Sequence, residues 1–209
     1  MSEELLYALR SRVRSEMSEK RATHTLEVEK MAERLARLYC PEKIYVMRAA
    51  ALLHDVTKEL NPADQVVLCT ALGVKLSEMD LAAPKTLHAM SAAAVIPQKY
   101  PEFNDEEIIS AVRWHTTGKA GMTITEKLIY LADYIDMSRS FEDCVKLRNC
   151  FFDAEPEKMD MEDRLLHLDR TLLMSYDMTL RALIEDGKPI SEDTLGARNE
   201  LAIKLRAKR

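Results

Sequence analysis

Apolar residues recur at helical spacing along almost the whole chain, and no segment shows a convincing period of two, the mark of a half-buried strand. The clearest run lies at residues 23–39, where His24, Val28, Met31, Leu35 and Leu38 line one face of a single helix that Pro41 closes. Residues 42–56 are apolar nearly all round through Ala49-Ala50-Ala51-Leu52-Leu53, and such a helix belongs at the centre of a bundle. Five glycines and seven prolines in 209 residues are too few for a many-stranded barrel or sandwich, which needs a turn every ~8–12 residues.

Punctuation divides the rest. An amphipathic helix opens the chain at 3–18, and Asn61-Pro62 reads as a cap and first helical residue. Gly73 ends that helix, and Pro84 separates a short piece from the helix holding His88. Pro97 and Pro101 bracket a loop, Asn104 caps a helix running toward His115, and Thr123 or Thr125 starts another that reaches Met137. Pro156 opens a long charged helix ended by Gly187 and Pro189, and Ser191 caps the last one. The expected fold is all-α, a single domain over 1–209 with about ten helices. Its core helices span 18–137, and a C-terminal helical extension spans 157–207.

Thirty basic against 35 acidic residues leave a net charge of −5, which argues against non-specific nucleic-acid binding. No apolar run approaches the ~18 residues of a membrane span, and Met1-Ser2-Glu3-Glu4 lacks a signal peptide's basic start. Cys40, Cys69, Cys144 and Cys150 form no C-x-x-C pair and read as reduced thiols. Neither nucleic acid nor membrane is expected as a partner, and the expected location is cytoplasmic.

Only five histidines occur, and four of them, His24, His54, His88 and His115, lie on apolar helix faces. Asp55 follows His54 directly, and Asp133 sits on the core side of Leu-Ile-Tyr-Leu-Ala-Asp. One histidine on an apolar face is ordinarily a core residue. Four imidazoles and two carboxylates aimed into one interior are another matter, because an unpaired buried charge costs several kcal/mol. Neutral imidazole with carboxylate is the mixed ligand set of zinc, iron or manganese. Six ligands exceed what one ion with an open position uses. This points to a two-metal centre, suited to water activation and in-line displacement at phosphorus.

The order His24, His54-Asp55, His88, His115, Asp133 resembles the HD superfamily of metal-dependent phosphohydrolases. Arg21-Ala-Thr-His24, Leu53-His-Asp-Val-Thr-Lys58 and Trp114-His-Thr-Thr-Gly118 are similar to one branch, the YqeK-type symmetrical diadenosine tetraphosphate hydrolases. So are the segments 126–136 and 187–199. The resemblance implies two transition-metal ions, iron first, with manganese or cobalt as alternatives. His24, His54, Asp55 and Asp133 would hold one ion, and Asp55, His88 and His115 the other. It also implies attack of a metal-held hydroxide on a central phosphorus of a dinucleoside tetraphosphate, with nucleoside diphosphate as product. A homodimer is left open. The chain departs from the branch at Met137-Ser138, where a proline-containing turn is usual, and at Phe141-Glu-Asp-Cys-Val. Both departures bear on nucleotide contacts.

Spacing alone puts Arg21 three residues before His24 and Lys58 four after His54, each beside a ligand on its helix face. With Asp55 they form the expected catalytic set. Arg139 is a further candidate for phosphate, and Arg113 and Lys119 lie near other motif segments; the alternative for each is a solvated surface charge. Thr116, Thr117 and Gly118 either contact phosphate or simply close a turn, and Asp136 orients a water or ribose or else supports a ligand. His167 lies in a charged helix and reads as a packing or surface residue. Two other functions remain: an HD phosphohydrolase of a nucleoside monophosphate or alarmone, and a non-enzymatic metal-binding helical regulator.

Overall fold

The structure, a computed structural model, describes residues 3–207; the first and last two residues lie outside the described residues. Eleven α-helices are present and no strand among the described residues, as the periodicity predicts. The chain opens with α1 (Glu3–Glu16) and α2 (Glu19–Tyr39), the latter capped by Ser18, whose hydroxyl accepts from the Arg21 amide at 3.3 Å. After a 3₁₀ turn at Pro41–Lys43 comes α3 (Ile44–Leu53), the hub of the bundle. Every residue from Met47 to Leu53 is buried, and α1, α2, α7 (Glu106–Trp114) and α8 (Ile124–Ile135) pack around this helix. Its one buried charge, Arg48, is matched: Nε donates to Glu29 at 3.0 Å and Nη1 to Glu3 at 2.8 Å.

Between α3 and α7 lie α4 (Pro62–Ala71), α5 (Glu78–Ala82) and α6 (Leu87–Lys99). Asn61 caps α4 as expected, accepting from the Asp64 amide at 3.0 Å. Two expectations differ. Pro97 lies inside α6 rather than in a loop, tolerated because it falls in the last turn and removes one hydrogen bond only. Asp105, not Asn104, caps α7, since its carboxylate meets the Glu107 amide at 2.8 Å.

Thr123 starts α8 through a reciprocal capping box with Glu126. An unexpected helix, α9 (Glu142–Asp153), follows, and Pro156 opens a 3₁₀ turn rather than the long helix α10 (Met161–Glu185). The chain ends with α11 (Glu192–Arg206), capped by Ser191. No described helix is long and apolar enough to cross a membrane.

Candidate metal centre

Helix ends present the ligand-type side chains. His54 and His115 are the residues immediately after α3 and α7. There each Nδ1 reaches back to a backbone carbonyl three residues earlier, Ala51 at 2.6 Å and Val112 at 2.7 Å. A carbonyl only accepts, so Nδ1 carries the proton and Nε2 turns a lone pair inward. His24 projects from α2, His88 from the first turn of α6, and Asp133 from the last turn of α8. Asp55 follows His54 in the turn that leaves α3.

The six groups converge. Asp55 Oδ2 lies 3.4 Å from His54 Nε2 and 3.7 Å from His24 Nε2. Its other oxygen, Oδ1, lies 3.4 Å from His88 Nε2 and 3.8 Å from His115 Nε2. One carboxylate thus stands between two imidazole pairs. Asp133 Oδ1 closes the first side, 3.0 Å from His24 Nε2 and 3.8 Å from His54 Nε2. Ligand atoms of His24, His54 and Asp133 fall within 4.8 Å of one another, and so do those of His54, Asp55 and His115. His54 therefore belongs to both groups, whereas the resemblance assigns it to one. His88 approaches from beyond, its Nε2 3.1 Å from that of His115.

The electrostatics separate the two ends. Burial depresses His115 to about 4, with His54 adding to the effect. It also pulls His88 well below its ordinary value, helped by His115 and Lys58, so both rings are neutral lone-pair donors near pH 7. Burial opposes charge on His24, but Asp133 and Asp136 outweigh it and raise the ring to about 9. Burial would also raise the Asp55 and Asp133 carboxyls. Facing imidazoles, and Arg139 for Asp133, hold both well below the usual carboxylate range instead. This interior favours positive charge between its carboxylates.

Whether these residues fit a metal is tested by the orphaned atoms. His24 Nε2 and His54 Nε2 are fully buried and make no hydrogen bond, despite carboxylate oxygens close by. Unpaired buried polar atoms are rare. Two ring nitrogens left without a hydrogen bond beside carboxylates fit a shared cation, which would take the place of the proton on His24, and the N/O donor set suits a borderline transition metal. Asp136, fully buried, places Oδ2 3.3 Å from His24 Nδ1, and the Ser138 hydroxyl lies 3.3 Å from the same nitrogen.

Cations surround the cluster. Arg21 Nη1 donates to Asp55 Oδ2 at 2.5 Å, and Arg139 pairs with Asp133. Lys58 Nζ lies 3.1 Å from His88 Nε2, its pKa lowered by burial although Asp55 and Asp133 pull the other way. The Thr116 hydroxyl sits 3.1 Å from both His88 Nε2 and His115 Nε2. Arg21, Lys58, Thr116 and Arg139 line one cavity of about 480 Å³ with Asp55, His88, His115 and Asp133.

Other candidates lie elsewhere. Thr117 faces a neighbouring slot, and its carbonyl accepts from Thr194 at 3.1 Å. Gly118 packs against Tyr176. Arg113 lies over the Trp114 ring at 4.0 Å, and Lys119 pairs with Glu126 at 3.1 Å. His167 stacks on Phe151 and meets its carbonyl at 2.9 Å, a packing residue. Sequence reasoning missed the cavity walls Lys85, Tyr130, Tyr134 and Thr179. It missed Arg148 too, which reaches from α9 to the carbonyls of Ile135 at 2.8 Å and Arg139 at 2.7 Å and braces the loop carrying Arg139.

The sequence model of the HD domain family matches residues 21–138. A symmetrical bis(5'-nucleosyl)-tetraphosphatase of Halalkalibacterium halodurans is 31% identical over 193 residues, covering 91% of this chain and 94% of its own. Its namesake from Staphylococcus aureus is 31% identical, covering 89% of each. The crystal structure of a protein from Clostridium acetobutylicum, described as a predicted HD superfamily hydrolase involved in NAD metabolism, superposes with a TM-score of 0.81 at 32% identity. That alignment covers 94% of this chain and 96% of the other.

Proposed function

The chain belongs to the HD domain family, and we propose that it is a metal-dependent hydrolase splitting diadenosine tetraphosphate symmetrically into two ADP. One observation carries the metal half of this reading: the two oxygens of Asp55 face two different imidazole pairs. A carboxylate so placed is suited to bridging two ions. His24, His54, Asp55 and Asp133 would hold one ion, and Asp55, His88 and His115 the other, with iron the first candidate. Bound there, the ions supply an activated water and neutralise phosphate charge. The substrate half is supported by the names of the relatives from H. halodurans and S. aureus.

The chain's own residues account for binding and orientation. Arg21, Lys58 and Arg139 present three cations to the cavity, enough to hold a polyphosphate beside the ligand cluster. Thr116 adds a hydroxyl donor. The oxygen of a water adds to one central phosphorus, the bridging P–O bond breaks, the second ADP departs with the bridging oxygen, and the proton lost by the water passes to solvent. Arg21 and Lys58 offset the charge that builds on the bridging and terminal oxygens. Asp136 fixes the His24 ring. Residues 18–137 form the catalytic core in this reading and 157–207 its extension.

Chromatography of products at partial conversion tests the reading. Two ADP and neither ATP nor AMP is the expected result. ATP with AMP would move the attacked phosphorus one position outward and end the symmetrical reading. Turnover of a nucleoside monophosphate or alarmone alone would replace the substrate class.

A further inference from the structure

The central cavity shares wall residues with two neighbouring pockets. On one side it shares Lys85, Thr116 and Thr179 with a slot of about 310 Å³. On the other it shares Arg21, Arg139 and Phe141 with an outer pocket of about 530 Å³. That outer pocket is lined by three cations, Lys20, Arg21 and Arg139, and by no carboxylate. Ser138 and Ser140 add hydroxyls beside them. Phe141 stands at the junction with 70% of its surface exposed, and its ring makes no aromatic or cation contact with another described residue. Exposure alone marks nothing, since Tyr7 is 69% exposed as well, but Phe141 stands in the wall of two pockets. Next to cations and hydroxyls it matches the three parts of a nucleotide: base, phosphate and sugar.

We propose that the outer pocket is a second nucleoside subsite, in which Phe141 stacks on the base of the departing half of the substrate. The proposal rests on the dinucleoside reading above. A tetraphosphate bridging Arg21 and Arg139 leaves its reacting phosphorus at the ligand cluster and carries its far nucleoside outward past Phe141. Stacking on an aromatic ring is indifferent to which base is present, so Phe141 selects for a second nucleoside rather than for adenine. Arg148 holds the Arg139 carbonyl at 2.7 Å and so keeps the junction in place.

The test compares kcat/KM for diadenosine tetraphosphate with that for adenosine 5'-tetraphosphate, which has the same phosphate chain and only one nucleoside. The metal-loaded wild-type protein, Phe141→Ala and Phe141→Trp are assayed side by side. The ratio should favour the dinucleotide in the wild type, fall about 10-fold in Phe141→Ala and be retained in Phe141→Trp. A merely structural role would lower both substrates together and leave the ratio alone; that result, or no change at all, overturns the subsite. Failure of the wild type to split any dinucleoside tetraphosphate would instead sink the reading on which the subsite rests.

Discussion

Gly118 bears on the site through its neighbour Tyr176. Its φ of +63° is open to glycine and strained for other residues, and a Cβ there would fall 1.9 Å from the Tyr176 hydroxyl oxygen. Tyr176 is fully buried and cannot move aside cheaply. Gly118→Ala should therefore destabilise the protein by about 3 kcal/mol, from strain and overpacking together. A thermal melt should show a drop of about 10 °C. Adding Tyr176→Phe removes the nearest atom and should recover part of it; a melt unchanged by Gly118→Ala would refute the packing. At this scale the six ligand-type residues were legible, because each lies on an apolar helix or just past its end, where a polar group needs a reason. Lys85, Tyr130 and Thr179 were not, because nothing in their local sequence says that three separate segments meet at one cavity.

Among the elements, α1 is tied to α6 by a charged cluster. Glu16 accepts from Lys99 at 2.7 Å and from the Tyr100 hydroxyl at 2.8 Å, with Arg12 at 3.0 Å. Burial acts to raise its pKa, but these three partners outweigh it and hold the carboxyl at about 2, against 4.5 for the free group. The folded pKa is the lower one, so the stabilisation is complete above pH ~4.5 and fades as pH falls toward 2. After discounting for solvent screening it amounts to about 1 kcal/mol. Glu16→Gln should lower the unfolding free energy by that amount at pH 7 and by less at pH 3. An equal loss at both values would contradict the assignment. Caps and prolines made most helices legible, Asn61, Thr123 and Ser191 among them. α9 was not, because its N-cap is Phe141, which offers no side-chain hydrogen bond to announce a start. Its place is set by tertiary contacts such as Arg148 on the end of α8.

Across the whole molecule, two parts of the chain share the work. The segment matched by the HD family supplies every candidate ligand, whereas residues beyond it, Phe141, Cys144 and Thr179, complete the cavity wall. Sequence periodicity foretold the bundle but not this closure, because a cavity wall is a product of packing and has no period. The proposed reaction requires a cluster that binds two ions sharing Asp55. Elemental analysis of protein purified anaerobically, with activity measured on the same sample, tests it most directly. Wild type and the packing control His167→Ala should each carry close to two transition-metal ions per chain, iron foremost, while Asp55→Ala should lose both ions and all turnover. Wild type with a single ion and full activity, or Asp55→Ala with two, would contradict it.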